Sequence, residues 1–567
     1  MHNMITKNTL RSFLLMITCF LTACNYLDFD ETNGLNTREN IYRYFESTEQ
    51  MLTTVYSYMP QDFGTVGGSM RDAASDDAEY ADASGSIQHM NRGSWSAIRT
   101  IDDQWGLYDG VRAANEFLDG FETTDFSRYQ HDLSYKQWMK KLELFPYEAR
   151  VLRAFYFFEL AKRYGDIPMP LKKLSTKEAN EVEKVKFEDV IAFIVSECDD
   201  AMRVLPDTYI GQPNNETGRV TKGFAMAVKS RALLYLASPL HNPTNDKTRW
   251  INAAQAALDI INTGLYSLDP ADKVNNVASK EVVLFRMNGT NSNFELRNFP
   301  IRFTEGQRQD KLATAVFPTQ NLVDAFETIN GYPVTLGANG FESADPDFDP
   351  QRPYHNRDPR LAKTVLAHGM KFKESTIDLS AQGADSAPLI EGGSATGYFL
   401  RKYIQETTSF KPDHTVSNQH HWVIYRYAET LLTYAEAMVQ AFGDPLYTDG
   451  TFTHSAVWAL NQVRKNANMP ERKMTDKEQF LKAIRQECRV EFAFEDHRFW
   501  DVRRWMIGSQ TQKDIYGVDI KRDAQGQDSY AKKAVETRTW EDRMYLYPIP
   551  QSELYKNANL APQNKGW

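Results

Sequence analysis

Tyr147-Glu-Ala-Arg-Val151-Leu-Arg153-Ala-Phe155-Tyr-Phe-Phe158-Glu-Leu-Ala161-Lys-Arg-Tyr164-Gly165-Asp-Ile-Pro168 is the stretch that decides the fold. Val151, Ala154, Phe155, Phe158 and Ala161 recur at three- and four-residue spacing, which places them on one face of a helix. Gly165 and Pro168 end it, since glycine tolerates turn geometry and proline has no N–H to donate. Working outward, residues 41–121 read as helical, broken by a loop, with Trp105, Tyr108, Val111, Arg112, Asn115 and Leu118 on one stripe. Residues 187–205 form a further helix ended by Pro206, followed by alanine-rich stretches at 221–238 and 251–266. Alanine on a helix face lets neighbouring helices approach closely. Helical order returns at Trp422, with Tyr427, Leu431, Tyr434, Ala435 and Met438 as a stripe and 456–468 as the next helix. The pattern predicts a mainly α fold built from about four tetratricopeptide-like helix pairs.

Residues 270–420 follow neither a helical nor a strand period. Gly, Asn, Asp and Pro are frequent there, and short runs such as 282–286 suit strands. Long irregular loops with a few short strands are expected, packed on the helical frame. Loops of that length commonly carry function.

The chain has 567 residues, 42% hydrophobic and 25% charged, enough to bury a large core without covalent staples. Four cysteines are too few for a disulfide scaffold; Cys198 and Cys488 read as buried thiols in helical stretches, with a disulfide between the two as the alternative. A formal net charge of −10 argues against nucleic acid as a partner, because phosphate binding needs a basic surface. Aromatics make up 12% of the chain, which leaves some for exposed stacking as well as for a core.

The N-terminus reads as an export signal. Lys7 and Arg11 are a short basic region, and Phe13 to Ala23 is apolar but too short to span a bilayer. It ends in Leu21-Thr22-Ala23-Cys24, which resembles a bacterial lipobox with Cys24 as the acylated residue. Residues 1–23 are therefore expected to be removed, which takes the formal charge from −10 to −12 through loss of Lys7 and Arg11. Several acyl chains give stable anchoring where one does not. Residue 25 is Asn and not Asp, so nothing points to inner-membrane retention, and Asp28, Asp30 and Glu31 follow as an acidic cluster.

At this point the chain resembles a known family. The block from Arg153 to Pro168 is similar to the signature helix and turn of the SusD/RagB family. So are Arg231-Ala-Leu-Leu-Tyr-Leu-Ala-Ser-Pro239, Asn356-Arg-Asp-Pro-Arg360 and Arg426-Tyr-Ala-Glu-Thr-Leu-Leu-Thr-Tyr-Ala-Glu-Ala437. Asn461-Gln-Val-Arg464, Glu487-Cys-Arg-Val-Glu491-Phe-Ala-Phe-Glu495, Asp501-Val-Arg-Arg-Trp505, Tyr547-Pro-Ile-Pro550 and Gln563-Asn564-Lys-Gly-Trp567 continue in family order. The resemblance implies a single large SusD-like domain over 24–567, with helical flanks 41–266 and 422–567 around the irregular 270–420. It implies a lipid-anchored, surface-facing protein of the outer membrane that binds oligosaccharide and partners a SusC-like TonB-dependent transporter. No catalysis and no cofactor are expected. Two other readings stay open: capture of peptide, as in some relatives, and an all-α surface glycoside hydrolase.

Glu487, Glu491 and Glu495 stand at i, i+4 and i+8 on one helix face, an arrangement that requires cations. Arg464, Arg498, Arg503 and Arg504 are expected to supply them, forming a structural network and not a glycosidase pair, since arginine partners depress carboxylate pKa values. Asp345, Asp347 and Asp349 alternate like the start of a calcium loop but lack its Gly and Glu. His414, His420 and His421 do not have zinc-site spacing and read as loop histidines, so no metal site is expected. Asp76, Asp77, Glu79 and Asp82 form an acidic group beside Tyr80, and solvation is the expectation for each. Trp95, in Gly93-Ser94-Trp95-Ser96, is the candidate exposed ring for stacking on a sugar, with Asn91, Arg92, Asp77 and Tyr80 as its polar company. Asn288, Phe294 and Arg297 are weaker candidates in the middle segment, while Trp105 and Trp505 are assigned to the core.

Overall fold

The computed structural model describes residues 38–60, 65–209, 216–270, 278–308 and 315–567. Cys24 and the acidic cluster behind it lie outside those residues. Eight helices of the described chain pack each on the next. In order they are Phe45–Ser57, Leu107–Phe121, Phe145–Tyr164, Phe187–Ala201, Lys222–Ala237, Lys247–Asn262, Tyr427–Phe442 and Ala456–Asn466. Taken two at a time they form the expected four pairs. A further helix, Lys477–Glu491, packs on Tyr427–Phe442.

Phe145–Tyr164 lies at the centre and is buried nearly all round, not on one stripe. Its polar side chains therefore need internal partners. Glu148 meets Arg219, Arg153 meets Glu197, and Glu159 takes both Lys162 and Arg163. Gly165, with φ of 72°, ends the helix as the sequence predicts. Side-chain caps start others: Thr221 accepts from the Phe224 amide, Ser455 from Trp458 and Asp476 from Gln479.

The middle segment enters and leaves the helical array at one place. Strand Val282–Asn291 pairs antiparallel with Asn418–Arg426, so its two ends return together between Lys247–Asn262 and Tyr427–Phe442. This corrects the expectation that helix resumes at Trp422; residues Trp422 to Arg426 are strand, and the helix begins at Tyr427. Cross-strand pairing over a long loop is invisible to local periodicity. His420 and His421 lie on the same strand and His414 on another, so they are strand and not loop residues. His420 is buried and meets Glu295 at 2.8 Å.

The C-terminal flank is less helical than the sequence suggests. Asp514–Arg522 and Asp528–Thr537 form a long two-stranded ribbon. It lies on the segment around Gly397, where the Val518 amide donates to the Thr396 carbonyl at 2.8 Å. A Cβ at Gly517 would stand 2.3 Å from that same carbonyl oxygen, so glycine is required by the close approach. Cys198 and Cys488 are both buried and free.

Candidate functional site

The acidic group at the N-terminal side is not solvated. Asp76 is gripped by Arg498 at 2.8 and 2.9 Å, and Arg489 reaches Asp77 at 2.6 Å. Burial pushes Asp76 upward, but Arg489 and Arg498 outweigh it and hold the carboxyl below its ordinary range. Glu79 pairs with Arg538 at 2.8 Å and accepts from Gln88. These contacts tie residues 71–80 to the C-terminal third of the chain. Asp82 alone keeps partial exposure, accepting from Ser84.

The predicted ligand residues fall mostly inside this frame. Trp95 is only 2% exposed and packs edge-on against Tyr547 and Trp567, at 5.1 and 4.5 Å between ring centroids. The expectation of an exposed stacking ring at Trp95 is therefore corrected: the C-terminal residues close over its small-residue loop. Asp77 is 0% exposed, and Asn91 is buried, donating to the Ala73 carbonyl and to Gln88. Tyr80 is buried on strand Ala78–Tyr80, its ring against Gly85. Arg92 is exposed, 3.9 Å from Glu536. The five residues thus neighbour one another in the fold without lining a common open cleft.

The carboxylates at 487–495 form the expected network; Arg464 is in it as expected, while Arg360, Arg426 and Lys402 stand where Arg498, Arg503 and Arg504 were expected. Arg360 binds Asp358, Glu487 and Glu491; Arg426 binds Glu281, Glu491 and Glu495. Arg464 joins Glu487 to Glu327, and Lys402 adds to Glu495. Arg498 goes instead to Asp76, Arg504 to Glu436 and Asp501, and Arg503 lies over the Phe499 ring. Glu495 stands beyond the end of helix Lys477–Glu491, where Phe494 and Asp496 turn left-handed. Burial would raise Glu491, yet Arg426 and Arg360 bring it down to about 2. An acid so held cannot protonate a leaving group at neutral pH. Asp345 and Asp347 share the Asn330 amide, and Asp349 pairs with Arg352.

Two concave spaces matter. One, of about 170 Å³, lies at the centre among Glu159, Lys162, Arg231, Glu429 and Trp500. Its acids and bases pair with one another, Lys162 with Glu159 within one helix and Arg231 with Glu429 between two. The other, of about 360 Å³, opens at the surface between helix Leu107–Phe121, residues 168–182 and residues 553–560. Trp105 and Tyr108 stand in its wall, half-buried, with ring centroids 5.0 Å apart. Trp105 precedes the helix and packs against the core only in part, being half-buried, whereas Trp505 is buried. The polar run Asp102-Asp103-Gln104 just before it was the available signal, with left-handed backbone at Asp102 and Gln104.

A family model for SusD matches residues 280–567, the C-terminal half of the chain. The chain belongs to the SusD family. A second model, starch-binding associating with outer membrane, matches residues 25–235. SusD-like protein P2 of Formosa agariphila is 22% identical over 443 residues, which is 74% of this chain and 73% of that one. A SusD-like protein of Bacteroides fragilis superposes with a TM-score of 0.75 at 26% identity, over 93% of this chain and 98% of its own. A SusD-like carbohydrate binding protein of the same species gives 0.71 at 23% identity, over 92% and 100%. The SusD-like sequence blocks of this chain have a structural meaning. Arg360, Arg426, Arg464, Glu487, Glu491 and Glu495 all come from them, and together they lock the middle segment to the last helices.

Proposed function

We propose that the protein is a lipid-anchored, outward-facing protein of the outer membrane. It binds oligosaccharides from a polysaccharide nutrient and passes them to a SusC-like TonB-dependent transporter, without altering them. Membership of the SusD family is the observation that carries this reading. The lipobox-like segment ending in Cys24, the second family model and the carbohydrate-binding relative from Bacteroides fragilis support it. The pairing of the carboxylates at 487–495 with arginine supports a binder over a glycosidase. The test has two arms. Gentle extraction from the native membrane should recover a large β-barrel partner. The soluble full chain carrying Cys24→Ala, incubated with glycan and peptide panels, should bind glycan saturably and leave it intact. Cleavage of the glycan, or binding confined to peptides, refutes the reading.

A further inference from the structure

The cleft beside Trp105 combines a flat apolar surface with polar groups that have no partner among the described residues. Trp105 is wedged on one side by Tyr108 and meets the edge of Tyr164 at 5.1 Å. Among the described residues its indole N–H has no protein partner. Asp109, in the first turn of Leu107–Phe121, is exposed, and so is Asn180 on the opposite wall. Neither side chain has a hydrogen-bond partner among the described residues. An aromatic face for C–H groups, together with planar carboxylate and amide groups for hydroxyls, is what a sugar ring requires.

The walls are fixed before any ligand arrives. Tyr108 donates to the Pro168 carbonyl at 2.8 Å, and Asn115 donates to those of Pro170 and Lys172. Asn557 ties the third wall to the second through the Val182 carbonyl at 2.8 Å. A preformed site avoids the ordering cost that mobile loops pay on binding. The local cations are already neutralised: Arg112 by Glu116, Lys172 by Glu178 and Lys556 by Glu553. Each cation in the lining thus has an acidic partner, and Asp109 adds a negative charge to the same wall, which disfavours an acidic sugar. Its volume of about 360 Å³ is at the small end for ligand sites, which suits a short stretch of a longer chain.

We infer that this cleft is a binding subsite for neutral oligosaccharide, with a pyranose ring on Trp105 and its hydroxyls on Asp109 and Asn180. The inference rests on the glycan-binding function proposed above. The probes are neutral hexasaccharides of α-glucan, β-1,3-glucan, β-1,4-glucan, xylan and mannan. Each is titrated calorimetrically into the full chain bearing Cys24→Ala, and the bound one is then titrated into variants. Trp105→Ala should weaken binding on the order of thirtyfold, as truncation of a central aromatic does. Asp109→Ala and Asn180→Ala should each weaken it severalfold with the thermal midpoint unchanged, since both side chains are exposed and unpaired. These two decide the matter if Trp105→Ala loses stability through its contact with Tyr164. A wild-type protein that binds a hexasaccharide while both surface variants keep full affinity overturns the subsite alone. A wild-type protein that binds none of the five overturns the subsite and the oligosaccharide reading together.

Discussion

Asp72 offers a direct check on the electrostatics of the frame. It lies in the short turn Arg71–Ala74, is 1% exposed, and has no hydrogen-bond partner for either carboxylate oxygen among the described residues. Burial pushes its pKa up from 3.8 to about 8, and the charges of Asp496 and Asp77 add to the effect; Arg71 opposes it only weakly. The folded protein therefore keeps a proton that the unfolded chain has released. Stability from this group is fully present below its unfolded value of 3.8 and is lost as pH rises toward about 8. Each pH unit in that window costs about 1.4 kcal/mol. Between 3.8 and pH 7 the upper bound is thus ~4 kcal/mol, a large part of the stability of most domains. Asp72→Asn preserves the shape and stays neutral at every pH. Urea unfolding of wild type and variant, both with Cys24→Ala, at pH 5 and at pH 8 isolates the effect, because every other titration is common to the two. The variant's advantage should grow by up to ~4 kcal/mol between the two pH values. Curves that shift in parallel with pH would show that Asp72 is ionised in the folded protein, and the reasoning would fail.

Arg426→Ala should cost ~3–5 kcal/mol, because it leaves Glu281, Glu491 and Glu495 buried without their shared cation; urea midpoints check this, and an unchanged midpoint counts against the network. Glu491, held at about 2, contributes stability above its ordinary 4.5 that disappears as pH falls through that range, so Glu491→Gln should flatten the acid limb of a stability–pH curve. Trp95→Ala should lower stability by ~3–5 kcal/mol through loss of its contacts with Tyr547 and Trp567, while glycan affinity of the folded fraction stays as in wild type. Cys24→Ala should release the protein from membranes; persistence in the outer-membrane fraction of cells lacking the transporter would exclude anchoring through this residue.

The helices were legible because each buries side chains at a spacing that a short window captures. Phe145–Tyr164 and Tyr427–Phe442 begin and end within a few residues of where their stripes and stop signals put them. The sites were less legible. Trp95 looked exposed because its sequence neighbours are Gly and Ser, yet its packing partners, Tyr547 and Trp567, come from the far end of the chain. Asp76 and Asp77 looked solvated for the same reason; their arginines are Arg489 and Arg498, more than four hundred residues on. Trp105 continues a helical spacing, but the helix starts after it and the ring is only half-buried against the core.

Sequence alone determined the mainly helical array, its division by an irregular middle, the expectation of a lipid anchor at Cys24 and the need for cations around Glu487, Glu491 and Glu495. The anchor is expected from the lipobox-like end of the apolar run at 13–24; the rest follow from local order: periodicity, caps, breakers and the repulsion of like charges a turn or two apart. Tertiary structure decided which cations answer, Arg360 and Arg426 before the others, and that Val282–Asn291 pairs with Asn418–Arg426. It also decided that Trp95 is closed over while Trp105 borders open solvent. Burial and charge pairing depend on segments hundreds of residues apart meeting in space, and no window on the sequence contains both partners.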